Sequence, residues 1–159
     1  ERLAKRIGLD VSMGALDVKN IHAGDEEGEK MRVEKGTPLV NVSRVIFADN
    51  RPVAYLTDIL PIETLSEEVL KTGFTGSVLD LLLAQGGIQL DRSLTEIQAV
   101  AASAEIAKKL EIQRGDVLLL FVACLFDSTG NVVDYSYSYF LPGYFKFHVV
   151  RSVGNTQYL

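Results

Sequence analysis

One cysteine in 159 residues, Cys124, excludes a disulfide framework and a cluster of thiolate metal ligands. It sits among Val122, Ala123 and Leu125, where a buried and inert thiol is expected rather than a nucleophile. Histidine is nearly as scarce: His22 and His148 lie far apart, neither with a partner at ligand spacing, so no metal is expected. No GxGxxG, GxxxxGK[ST] or GxSxG pattern occurs, which leaves no sign of a cofactor or of a catalytic triad. Apolar runs stop at about ten residues, against the ~20 needed to cross a bilayer, and no secretory hydrophobic region opens the chain. Basic residues are outnumbered, 16 Lys and Arg against 21 Asp and Glu, giving a net charge of −5 and a pI near 5.0. Gripping a phosphate backbone needs a basic face, so this segment is not expected to hold DNA itself. The expected compartment is the cytosol, with no membrane partner.

What is present is enough apolar material, 47% of residues, for one domain with a real core. The most informative stretch runs from Gly115 to Arg151. Val117 to Phe126 is rich in Val, Leu and Phe without charge, a strand composition expected to be covered on both faces. Asp127-Ser128-Thr129-Gly130-Asn131 is a turn cluster, and from Val133 the chain alternates. Val133, Tyr135, Tyr137 and Tyr139 point one way; Asp134, Ser136, Ser138 and Phe140 point the other. Pro142-Gly143 breaks that strand and Tyr144 to Val150 reads as a third.

Upstream, Glu1 to Gly8 reads as a short helix or a linker tail, and Gly14 to His22 as an edge strand. Asp25 to Arg32 has the charge order of a helix, acidic first and basic last, although Gly28 weakens it. Pro38 to Phe47 and Val53 to Leu60 form a hairpin about Asp49-Asn50. Thr64 with Glu67 suggests a capped helix ending near Gly73. Ser77 with Asp80 suggests another, apolar nearly all round and therefore expected to be buried, closed by Gly86-Gly87. Leu94 to Val100 reads as a strand and Ala104 to Leu110 as a helix capped by Ser103.

Residues 31–47 and 110–126 align without a gap: Lys35-Gly36 meets Arg114-Gly115, Leu39 meets Leu118 and Phe47 meets Phe126. After one extra residue in the second turn, Val53-Ala54-Tyr55 meets Val133-Asp134-Tyr135. A helix–strand–hairpin–strand unit used twice implies an α+β fold, an antiparallel or partly mixed sheet with helices on one side.

The phrases VEKGTPLVNVSRVIFADNRPVAYLTDILP, TGSVLDLLLAQGG, EIQAVAASAEIAKKLEIQRGDVLLLFVACLFDSTGNVVDYSYSYF and FKFHVVR resemble, in content and order, the UTRA domain. This is the effector-binding domain of GntR-type transcriptional regulators, and the likeness points to the HutC/FarR branch. The resemblance implies a chorismate-lyase-like fold, a sheet curved around a small-molecule pocket with helices outside. It also implies a homodimer and a winged helix-turn-helix upstream, through which operator DNA would be bound. On that reading residues 1–13 are a linker, 14–153 the sensing domain and 154–159 a tail; the start at Glu1, without methionine, suggests a fragment of a longer protein.

The same resemblance singles out residues. Family members that bind sugar phosphates carry R-x-R on the first hairpin; Arg44 matches the first arginine and Ile46 stands at the second. Leu56 stands where those members place a glutamate, and Ser77 matches a serine beside the phosphate. Asp134 and Phe140 hold the places of a glutamate and a tyrosine, with Ser136 between them. One arginine, one serine and one carboxylate beside Ile46, Leu56 and Phe140 imply a metabolite with a small anionic or polar end and more carbon than a sugar phosphate.

The residues themselves leave alternatives open. Arg44 among apolar neighbours needs an anion, either a ligand or an internal carboxylate, with Asp134 the obvious candidate. Ser77 is either only an N-cap or part of an anion site at the helix start. The row Asp134, Ser136, Ser138 is either a solvated face or a cavity wall, and Tyr135, Tyr137 and Tyr139 line either a pocket or an interface. Glu96 and Gln98 share a strand face and could contribute to a site. Three functions are compatible: an effector-sensing and dimerising domain, a chorismate-lyase-type enzyme, and a ligand-free dimerisation module. No catalysis is expected, since only Arg44 and Asp134 could serve a lyase. On the first function, Arg44→Ala is expected to abolish the effector response and leave the fold intact.

Overall fold

Six strands rich in β-branched and aromatic residues carry the structure, a computed structural model that describes residues 10–65, 67–72 and 74–151. They are β1 (Val11–His22), β2 (Pro38–Ala48), β3 (Arg51–Pro61), β4 (Leu90–Ala101), β5 (Val117–Asp127) and β6 (Val132–Phe140). Four helices join them: α1 (Asp25–Met31), α2 (Glu67–Lys71), α3 (Val78–Gln85) and α4 (Ala104–Leu110). The expectations for Glu1 to Gly8, for residues 154–159 and for the helix end at Gly73 lie outside the described residues, as does the Glu67 side chain of the Thr64–Glu67 cap.

The sheet runs β1-β2-β3-β6-β5-β4, and every neighbouring pair is antiparallel. The partly mixed sheet is thus corrected to an antiparallel one. Two residues join β2 to β3 and four join β5 to β6, connections too short for parallel neighbours. The expected strand Tyr144 to Val150 is also absent. Pro142-Gly143 turns the chain, leaving one isolated parallel bridge, Pro142 with Phe145. Phe145 and Phe147 instead pack their rings against Phe140, at 5.0 and 5.1 Å between centroids. At the other end β1 begins at Val11, three residues inside the segment expected to be a linker.

The two halves meet at β3 and β6, where Thr57 pairs with Tyr137, flanked by Tyr55 with Tyr139 and Ile59 with Tyr135. Their turns share geometry. Arg32 and Glu111, just past α1 and α4, are left-handed with φ 55° and 54°. Gly36 and Gly115 follow with φ 88° and 91°, a backbone region that glycine enters without Cβ strain. Each half also opens with a strand, β1 or β4, and both hairpins carry a register shift at the matching place, Ile46/Phe47 and Leu125/Phe126.

Helices cover both faces rather than one, because the sheet buries alternate residues on each side. On one face α1 sets Met31 against Leu39, Ile59 and Tyr135, and α4 sets Ile106 and Leu110 against Leu118 and Leu141. On the other, α2 and α3 bring Leu70, Val78 and Leu82 against Val40, Val42 and Leu60. Two burial expectations fail. Leu79 and Leu83 of α3 are exposed, Leu79 at the cavity, and most of β5 is half-buried. Leu118 and Phe126 are the buried residues of β5, Leu118 fully so among the α4 contacts. Leu118→Ala is expected to cost about 2–5 kcal/mol, read as a lower denaturation midpoint at unchanged denaturant slope.

Candidate functional site

The register places polar groups on one face of the central strands. Arg44 on β2 is paired with Leu56 on β3, which sets Asp58, two residues further along β3, diagonally beside Arg44. Asp58 in turn pairs with Ser136 on β6, so Asp134 lies diagonally on its other flank. Ala54 pairs with both Ile46 and Phe140. These residues form one wall of a cavity of about 340 Å³, within the size range of small-molecule sites. The loop before α3, Thr75 to Ser77, and the start of β1, Val11 to Met13, close it from above. Phe145 and Phe147 stand at one end, in a cluster with Phe121 and Phe140.

Arg44 is only 4% exposed, and its guanidinium is occupied by the protein. Nη1 donates to Asp58 Oδ2 in a buried ion pair and to the Val42 carbonyl at 3.4 Å. Nε and Nη2 both donate to the Gly76 carbonyl, at 3.0 and 2.6 Å. Gly76 has φ +105°, a conformation closed to most side chains, and in it the loop carbonyl meets the guanidinium. The Phe74 ring covers the remaining side, 5.4 Å from Cζ. The internal partner of Arg44 is therefore Asp58, not Asp134.

Asp134 adjoins Asp58, and hydrogen bonding between the two carboxyls favours its proton. It is 6% exposed, and its Oδ1 is the buried side-chain polar atom without a hydrogen-bond partner among the described residues. Burial, followed by the charge of Asp58 beside it, pushes its carboxyl well above the usual range, while Arg44 pulls weakly the other way. A carboxyl oxygen sealed from water without a hydrogen-bond partner is a costly arrangement.

All seven residues singled out from the sequence, Arg44, Ile46, Leu56, Ser77, Asp134, Ser136 and Phe140, line this one cavity. The Ser77 hydroxyl also accepts from the Asp80 N–H at 3.1 Å, so the N-cap and the cavity wall coexist. Sequence reasoning missed Asp58, although it is the lone charge in the strand run VAYLTDILP. It also missed the contribution of β1 and of Ala123 and Leu125 on β5, which only the strand order supplies. Glu96 and Gln98 are exposed on β4 and do not reach the cavity.

The tyrosine row lies on the opposite face. Tyr135 donates to Glu26 Oε1 on α1 at 2.8 Å. Tyr137 and Tyr139 border a second, polar hollow of about 320 Å³ with Asn41, Ser43, Thr57, Glu105 and Lys109. The Ser43 hydroxyl there bonds Asn41 Oδ1 at 2.9 Å and sits 3.1 Å from Thr57 Oγ1. Its buried hydroxyls satisfy one another, which sets it apart from the cavity around Asp134.

Comparison with known proteins agrees with this geometry. The UTRA domain family matches residues 6–146. An HTH-type transcriptional regulator of Rhizobium meliloti (strain 1021), RB1450, itself uncharacterized, is 27% identical over 148 residues. That alignment covers 93% of this chain and 59% of the relative, so the chain spans little more than half of that protein. Among solved structures, the effector domain of PhnF from Mycobacterium smegmatis superposes with a TM-score of 0.80 at 20% identity, covering 94% of this chain and 92% of that one. A GntR-family transcriptional regulator from Enterococcus faecalis V583 gives 0.74 at 23% identity, covering 89% and 100%. At these identities the superpositions establish the fold.

Proposed function

This chain belongs to the UTRA domain family, and from that premise we propose that it is the effector-sensing and dimerising domain of a bacterial transcriptional regulator of the HutC/FarR branch. A metabolite held in the cavity between β2, β3, β6 and the loop before α3 stabilises one dimer arrangement over another. Operator affinity of a winged helix-turn-helix elsewhere in the full protein shifts with that population. The observation that carries the reading is the cavity itself, largely apolar and walled by Arg44, Ile46, Leu56, Ser77, Asp134, Ser136 and Phe140. Self-association is supported by the edge strand β4, which leaves Leu94 65% exposed and Ile97 52% exposed beside β5. The pI near 5.0 fits a domain that leaves DNA contact to another part of the protein. No helix among the described residues is long and apolar enough to cross a membrane, in keeping with a cytoplasmic regulator. A lyase is disfavoured by the internal use of Arg44, whose charge is matched by Asp58 and whose Nε, Nη1 and Nη2 already donate to Asp58 and to backbone carbonyls, which leaves little to clamp a substrate carboxylate.

A thermal-shift screen against a metabolite library tests the reading. A ligand at 100 times its Kd stabilises the native state by about 2.7 kcal/mol, and the shift grows with the logarithm of concentration. Filling the cavity with Ser136→Phe is expected to remove the shift. A hit that stabilises Ser136→Phe as strongly as the unaltered protein would place binding elsewhere.

A further inference from the structure

Three charged side chains line the cavity, Arg44, Asp58 and Asp134, and they do not balance. The guanidinium is matched by Asp58 and donates to the Gly76 and Val42 carbonyls, with the Phe74 ring against it. The second carboxyl, Asp134, has an oxygen with no partner and no cation of its own. The aromatic end of the cavity adds the rings of Phe140, Phe145 and Phe147, and aromatic rings attract cations over their faces. Neither feature suits an anion: a carboxylate or phosphate entering here would meet the Asp134 carboxyl and aromatic rings, with the Arg44 charge already matched by Asp58. We propose that the effector is a largely apolar molecule bearing an amine or quaternary ammonium group, seated with that cation between Asp134 and the phenylalanine cluster.

This rests on the sensing role proposed above and narrows the metabolite class from an anionic end to a cationic one. The charged groups beside Asp134 on its face of the sheet are Asp58 from β3 and Arg44 from β2, while the Cys124 thiol of β5 lies on the opposite face and acts on it only at a distance. Without ligand, burial and Asp58 favour the protonated carboxyl. A bound cation favours the ionised form, so binding expels a proton and tightens as pH rises toward the raised pKa. A neutral hydroxyl in the same place gains nothing from that ionisation.

The test uses four probes on one carbon skeleton, phenylpropylamine, its trimethylammonium derivative, phenylpropanol and phenylpropanoate, titrated calorimetrically into the 159-residue chain. The two cations are expected to bind at least tenfold more tightly than the alcohol, with the carboxylate weakest. Their affinity should rise between pH 5 and 7.5, and Asp134→Asn should bring them down to the alcohol. Ser136→Phe, or the milder Ala123→Leu if the former fails to fold, should abolish binding of every probe. A carboxylate that binds best and is lost in the filled variants would overturn the charge assignment while leaving the sensing cavity standing. Cations that bind the filled variants unchanged would overturn both. No binding by either cation would overturn the present proposal, and the metabolite screen would decide the sensing role separately.

Discussion

Arg44→Met is expected to destabilise the domain by about 3–5 kcal/mol, the range for removing one partner of a buried ion pair. For a domain of this size that corresponds to a fall in Tm of roughly 10 °C. The substitution strands Asp58, whose side chain is 9% exposed, beside a second carboxyl, and it deprives the Gly76 carbonyl of both its guanidinium donors. Removing both charges is a different matter. Arg44→Met with Asp58→Leu leaves apolar groups of similar bulk, and most of the loss should return, giving a coupling well above the few tenths expected of independent sites. This reverses the expectation from sequence that Arg44→Ala would spare the fold. An arginine on an apolar strand reads equally as a ligand clamp or as half of an internal pair, and the register with Asp58 decides for the pair. Denaturation of the two single variants and the double variant is the check; an Arg44→Met protein as stable as the parent would show the guanidinium to be dispensable.

Asp134→Asn has the opposite sign in the ligand-free protein. A carboxyl whose native pKa lies above its unfolded value binds its proton more tightly when folded. It therefore weakens the fold as pH rises from the unfolded pKa through the native one, because the unfolded chain ionises freely and the native state does so only at a cost. The amide never ionises, so the variant should match the parent at about pH 4 and exceed it increasingly toward neutrality. The gap between the two melting curves, followed from pH 4 to 8, measures the effect. A constant gap, or one that closes with pH, would mean that Asp134 titrates normally. Gain of stability with loss of cation binding is the trade expected of a binding group held in an unfavourable setting.

The strand alternation from Val133 to Phe140 exposed the site in the sequence, since a two-residue period must put Asp134, Ser136 and Phe140 on one face. The matching of Lys35-Gly36 to Arg114-Gly115 likewise located both helix–strand corners, where left-handed residues and glycines now stand. What the sequence could not show is everything that depends on which strands are neighbours. The union of the halves at β3 and β6 places Asp58 between Arg44 and Asp134, and no local pattern carries that information. Burial was misjudged where composition stood in for packing: α3 and β5 are largely apolar, yet Leu79 and Leu83 are exposed and most of β5 is only half-buried. Tyr144 to Val150 has strand composition, but its phenylalanines find rings before its backbone finds a ladder.

The most direct measurement is where a stabilising ligand touches. Methyl groups mark both hollows: Ile46, Leu56, Ala123 and Leu125 line the one containing Asp134, and Ile106 borders the polar one on the opposite face. With methyl-labelled protein and a compound that raises Tm, intermolecular NOEs are expected to Ile46, Leu56 and Leu125 and not to Ile106. Contacts to Ile106 with silence from Ile46, Leu56 and Leu125 would contradict the assignment of the sensing site.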